Sequence, residues 1–161
     1  METPIKLDSN TDIVRGSLFL FLDSQPLAFE KSSTLNLSVD AIDISNKTMG
    51  GWAGSAPGKK SFSISSEMLI TRKTGTMSYD TLLEKVGTDS YLEFMFGDAK
   101  VTNRTNSGGE FELDNTKPFY KGSVWCNSLD LVSNDGELCT SSAAFTGTGA
   151  LQRVPATGDP A

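Results

Sequence analysis

Thr34-Leu-Asn-Leu-Ser-Val-Asp40 alternates without a break. Leu35, Leu37 and Val39 fall on one side, and Thr34, Asn36, Ser38 and Asp40 on the other. A period of two is the signature of a strand with one dry and one wet face. Ser61-Phe-Ser-Ile-Ser-Ser-Glu-Met-Leu-Ile-Thr71 repeats the pattern, with Phe62, Ile64, Met68 and Ile70 sharing a face opposite Ser61, Ser63, Ser65 and Glu67. Two such strands in succession predict an antiparallel pair. Its apolar face enters a core, and its free face carries short hydroxyls and two acids.

The segment joining them, residues 41–60, is long for a connection inside a compact domain, where medians are about 4–6 residues. It holds Met49-Gly-Gly-Trp52 and Pro57-Gly-Lys-Lys60, a large aromatic and a doubled positive charge among glycines. Within it, Ala53-Gly-Ser-Ala-Pro-Gly-Lys-Lys-Ser61 nearly spells a phosphate-binding loop. That loop requires G-x-x-x-x-G-K-[ST] running from a strand into a helix. Here Ala53 replaces the first glycine, Lys60 replaces the hydroxyl, and a strand pattern follows, so nucleotide binding is not expected. The segment reads instead as a mobile contact loop with Trp52 as its anchor. The alternative is that Trp52 folds back as a lid on its own core.

Outward from this pair, residues 1–12 are polar and aperiodic, an N-terminal arm. A strand is expected over Arg15–Leu22, turning at Asp23-Ser-Gln25 and returning through Pro26–Phe29. Ser78 to Gly87 predicts one short helix, capped by Ser78 and ended by Gly87, with Leu82, Leu83 and Val86 inward. Tyr91–Phe96 is a further strand, and residues 97–116 a polar insertion. Phe119–Val132 and Glu137–Leu151 pair about a turn at Ser133-Asn-Asp-Gly136. The last residues, 154–161, read as a disordered tail. With 161 residues, 15 of them Gly, and few charges, the chain is expected to form a single, mainly β domain over residues 13–153.

Composition excludes several functions. A net charge of −6 and a pI near 4.6 do not suit a surface that grips nucleic acid by neutralising phosphates. There is no histidine, which removes Ser-His-Asp and Cys-His catalysis and every His-containing metal site. Cys126 and Cys139 flank the last turn at unequal distances, about 16 Å out of register along the strand, too far for a disulfide. No cofactor and no metal is therefore expected. A carboxylate pair drawn from Asp23, Asp40, Asp43, Glu67, Asp80 and Glu93 is the remaining route to acid–base chemistry, yet no spacing marks one. No secretory signal is visible, and the longest apolar run, Leu18–Leu22, is too short to span a bilayer. The expectation is a soluble protein made in a cytoplasm, with no membrane partner.

Several features in order carry a resemblance: Pro26-Leu-Ala-Phe29, Thr34 to Asp43, Gly50-Gly-Trp52 with Pro57-Gly-Lys-Lys-Ser-Phe-Ser-Ile-Ser65, the helix at Tyr79-Asp-Thr-Leu-Leu83, and Ala144-Phe-Thr-Gly-Thr-Gly-Ala-Leu151. Together they resemble the major tail tube protein family of long, non-contractile-tailed bacteriophages, over residues 13–151. The resemblance implies a tail-tube fold, two packed antiparallel sheets or a flattened β-barrel with a flanking α-helix. It implies self-assembly into rings, usually hexamers, with a continuous inner β-barrel, stacked into a conduit for phage DNA in the virion after assembly in the host cytoplasm. A tape measure protein and a tail terminator are the implied partners, and double-stranded DNA passes without specific binding. The long loop of such proteins contacts the neighbouring ring. Carried over, it places Met49, Gly50, Gly51, Trp52, Pro57, Gly58, Lys59 and Lys60 in that contact.

If that is the architecture, Thr34, Asn36, Ser38, Asp40, Ser63, Ser65 and Glu67 line the lumen, since their apolar neighbours must face the core. Two readings compete. One is a monomeric β-sandwich that binds carbohydrate on Trp52, Tyr79 or Tyr120 as a stacking platform. The other is a hydrolase with a carboxylate pair.

Overall fold

Alternation prevails through most of the chain, and the computed structural model, which describes residues 3–14, 16, 18–86 and 91–156, is accordingly built on strands. These are β1 (Leu18–Leu22), β2 (Gln25–Pro26), β3 (Glu30–Asp43), β4 (Ser55–Leu69), β5 (Leu92–Thr105), β6 (Gly108–Leu113), β7 (Phe119–Leu129) and β8 (Thr140–Val154). One helix, α1 (Tyr79–Lys85), lies between β4 and β5. The expected flattened barrel takes the form of one continuous sheet in the order β2-β1-β5-β7-β8-β4-β3, with β6 added to the far half of β5. Every pairing between these strands is antiparallel.

The sheet curls around one core. Leu20 and Leu22 of β1, Phe62, Ile64 and Met68 of β4, and Leu92 and Phe94 of β5 meet Val124 of β7, Phe145 of β8 and Leu82 of α1 there. The helix contributes Tyr79, Leu82 and Val86, spaced i, i+3 and i+7, which is one helical face. Leu83 sits a quarter turn away and is exposed, so it leaves the expected apolar side. Ser78 is the N-cap residue without a side-chain cap bond, and Gly87 lies outside the described residues.

Several boundaries differ from expectation. The region expected as an insertion over 97–116 is strand: β5 runs on to Thr105 and turns back as β6, and Phe111 stacks on Phe19 at 5.2 Å. Arg15 and residues 157–161 fall outside the described residues. The cysteines are both free; Cys126 is buried opposite Phe145, while Cys139 is exposed at the end of the β7–β8 connection.

Where the curl brings β3 towards β1, Glu30 forms the stitch. Its carboxylate accepts from the Leu20 N–H at 3.0 Å and from the Ser33 hydroxyl. Burial pushes the Glu30 carboxyl above its ordinary value of 4.5, against the two hydrogen bonds that pull it down. A raised folded-state value means that the folded chain holds this proton more tightly than the unfolded chain. The stabilisation is full below pH 4.5 and is lost as pH rises through the folded value. Glu30→Gln keeps an acceptor for Leu20 and removes the buried charge. It is expected to raise the thermal midpoint at pH 7 but not at pH 4, read by circular dichroism; an equal shift at both pH values would contradict this.

Candidate assembly surfaces

The β3–β4 register places Thr34 opposite Ser65, Asn36 opposite Ser63, and Ser38 opposite Ser61. Directly opposed residues share a face, and the Ser38 and Ser61 hydroxyl oxygens lie 3.1 Å apart. The face continues across β8, where Ser63 opposes Thr146 and Glu67 opposes Ser142, and onto β7, where Ser123 opposes Thr148. The result is a hydroxyl-rich surface four strands wide. It joins six of the seven residues singled out in the sequence directly. The seventh, Asp40, stands where β4 carries one extra residue, across from the Gly58–Lys59 bulge. Ser142, Thr146 and Thr148 were missed, although Ala143 and Phe145 alternate with them and are buried. A Lys31–Glu67 contact at 3.8 Å between exposed side chains adds little energy.

The connection 41–60 is not a long loop. Strand β4 begins at Ser55, and Ala41, Ile42 and Asp43 pair with Pro57, Ala56 and Ser55. Pro57, Gly58, Lys59 and Lys60 therefore belong to a strand. No helix follows Lys60, since β4 runs on to Leu69. Pairing of β4 with β8 starts only at Ser63, so the first half of β4 and the second half of β3 project as a two-stranded arm.

The arm's tip is ordered by its own side chains. Asn46 caps a 3-10 turn over Lys47–Met49 by accepting from the Thr48 N–H at 3.0 Å. The Ser45 hydroxyl accepts from the Gly54 N–H at 2.8 Å, and the Ile44 N–H donates to the Gly54 carbonyl at 3.1 Å. The Ser45 hydroxyl and N–H hold the exposed Asp43 carboxyl below its usual range. Met49 covers Gly54 so closely that a Cβ there would sit 2.2 Å from its Cε, and Ile42 leans over Gly58 in the same way at 3.2 Å. These glycines seat apolar side chains instead of supplying mobility. Met49 is thus half-buried, whereas Gly50, Gly51 and Trp52 form the outermost turn and Trp52 is 84% exposed. The lid alternative for Trp52 is not what the structure shows.

Leu37 and Val39, expected in the core, are exposed at 58% and 44%. Their strand overruns the core: β3 ends the sheet, and among the described residues its only partner strand is β4. Its outer edge carries 14 residues of backbone without a neighbouring strand. A long unpaired edge with apolar side chains is a template for another chain.

Other chemistry is sparse. Among the described residues no group of three His, Cys, Asp or Glu could hold a metal, and no helix is long and apolar enough to cross a membrane. Tyr79 is partly buried and packs against the core, whereas Tyr120 is 38% exposed on β7. The Asp23 carboxylate accepts from the Glu93 N–H at 3.1 Å, a turn-fixing contact.

No family model matches the chain, and no curated protein does. Solved structures do. The tail of an empty gene transfer agent particle, refined with C6 symmetry, matches with a TM-score of 0.61, covering 86% of this chain and 96% of its own, at 16% identity. The tube-containing complex of an extracellular contractile injection system, in its extended state, matches at 0.60 over 91% and 95%, with 14% identity. This chain has the tail-tube fold. The SPP1 tail tube matches it at 0.58 over 88% and 78%, with 9% identity. The arm and the unpaired β3 edge are among the parts of this fold that a single chain leaves uncovered.

Proposed function

We propose that this chain is a structural subunit of a phage-type tail tube. The observation that carries this reading is the uncovered 14-residue edge of β3, bordered by a polar face and set in a tail-tube fold. Neighbouring copies cover that edge in a closed ring, which removes the hazard an open edge poses. Six copies per ring agree with the C6 symmetry of the matched gene transfer agent tail. The chain is not an enzyme, and its location is the virion, after assembly in the host cytoplasm. A tape measure protein and a tail terminator are its expected partners.

In this ring Thr34, Asn36, Ser38, Asp40, Ser63, Ser65 and Glu67 line the lumen, joined by Ser142 and Thr146. Short hydroxyls and a few acids hydrate well, and the cation beside them, Lys31, faces Glu67, so a duplex slides without being held. Met49 to Trp52 at the arm's tip, with Pro57 to Lys60 along its shaft, make the contact to the next ring.

Negative-stain electron microscopy with sedimentation velocity on the purified chain, over a range of concentrations, tests the proposal. Rings or tubes support it, and a monomer at every concentration with a ligand-sensitive tryptophan signal would favour a binding module. A Ser63→Lys/Ser65→Lys subunit is expected to fold and form tubes that retain DNA and eject it poorly. Wild-type infectivity with that basic wall would contradict the lumen assignment.

A further inference from the structure

Strand β4 runs from the arm's tip at Ser55 to Leu69, which pairs with Thr140. Ile70 then donates to the Cys139 carbonyl at 3.1 Å. The β7–β8 connection, residues 130–139, therefore lies at the end of the sheet opposite the arm, about 45 Å away at roughly 3.3 Å per residue.

That connection mirrors the arm in chemistry. Residues 130–139 hold Asp130, Asp135 and Glu137 with no Lys or Arg, whereas the outer part of the arm, residues 44–60, holds Lys47, Lys59 and Lys60, with Asp40 and Asp43 behind them on β3. Both ends also show apolar side chains to water: Leu131, Val132 and Leu138 at one, Ile44 and Trp52 at the other. The connection is a preformed surface. Val132 and Thr140 exchange backbone hydrogen bonds at 2.8 and 3.0 Å, and the Asp130 carboxylate accepts from the Ser142 N–H at 2.7 Å. Asp135 and Glu137 stand at its turn, and the Glu137 carboxylate accepts from the Asn134 amide at 3.3 Å. Arg72 and Lys73, both exposed, follow the end of β4 in sequence.

We infer that the β7–β8 connection is the receptor for the arm of a second copy of this chain, with Trp52 seated against Leu131, Val132 and Leu138 and Lys47 facing Asp135 and Glu137. This rests on the tube reading. Complementary patches at opposite ends of one molecule make a heterologous, head-to-tail contact, which propagates without closing. Ring stacking requires that property. Opposite charge guides the register, and the apolar side chains supply the adhesion.

Cys139 is a natural reporter, since it is exposed on the receptor while Cys126 is buried. Ala53→Cys adds a thiol beside Trp52 at the tip. Gly51→Cys is the second variant, because a Cβ there meets nothing within 4 Å. Assembled tubes of either variant, treated with a short bis-maleimide and denatured, are expected to give a ladder of covalent oligomers extending beyond the dimer. The same variant carrying Cys139→Ser should give none. Tubes that form without a ladder overturn this assignment and leave the tube reading standing, as would dimers that persist with Cys139→Ser, which mean tip-to-tip contact. Failure of the wild-type chain to assemble at all overturns both. As a second measurement, Lys47→Glu is expected to raise the critical concentration about tenfold, or about 1.4 kcal/mol. Adding Glu137→Lys should reverse most of that rise, and no reversal would count against the pairing.

Discussion

Gly147→Ala is expected to destabilise the folded subunit by about 1–3 kcal/mol, and Gly147→Val to prevent folding, because the position is already occupied by a neighbour's ring. A Cβ at Gly147 would stand 2.4, 2.4 and 2.5 Å from three atoms of the Phe62 ring. That ring is buried among core side chains. It tilts against Phe94 with centroids 5.6 Å apart, and it also lies over Gly122, where a Cβ would meet it at 3.2 Å. One aromatic on β4 thus spans two glycines on β8 and β7, a close approach that only glycine permits. Urea unfolding of Gly147→Ala, alone and combined with Phe62→Leu, measures the effect. Strong coupling between the two substitutions is the expected sign of direct contact. A loss below about 0.5 kcal/mol would show that the ring moves freely.

Trp52→Ala is expected to leave the subunit folded and to abolish tube growth at wild-type concentrations. The indole is 84% exposed, so its removal costs the isolated chain almost nothing, within about 0.5 kcal/mol. Met49, Ile44 and the Asn46 cap hold the tip without it. In the assembled tube the same side chain is a central aromatic anchor, whose truncation typically costs about 2 kcal/mol or more. That corresponds to a rise of roughly thirtyfold in the critical concentration for each stacking contact. Circular dichroism establishes the fold and sedimentation velocity the assembly. Tubes of normal length from the variant would remove Trp52 from the interface.

These two residues also divide what local pattern reveals from what it hides. Trp52 between glycines is conspicuous in the sequence, but the sequence suggested a mobile loop around it. The structure shows a β-arm instead, because Gly54 and Gly58 lie beneath Met49 and Ile42 and let two strands continue where a glycine count suggests a break. Gly147 gives no local signal. Its reason is a ring on a strand more than 80 residues earlier, and contacts at that separation leave no trace in a window of ten residues. Over residues 61–68 the strand pattern was legible, with Phe62, Ile64 and Met68 buried, whereas Ile70 lies past the end of β4. In residues 34–40 the alternation was equally clear, yet Leu37 and Val39 remain exposed.

By itself, the sequence determined a mainly β chain, the helix near Tyr79, the wet face of β3 and β4, and the absence of histidine chemistry, since each depends only on side-chain type and a period of two or 3.6. Only the tertiary structure decided that the two strands outrun the core as an arm, that β8 and β7 widen the hydroxyl face, and that the acidic β7–β8 connection lies at the far end from the lysines. Those are matters of register and strand order, set by which strands find one another across the whole chain.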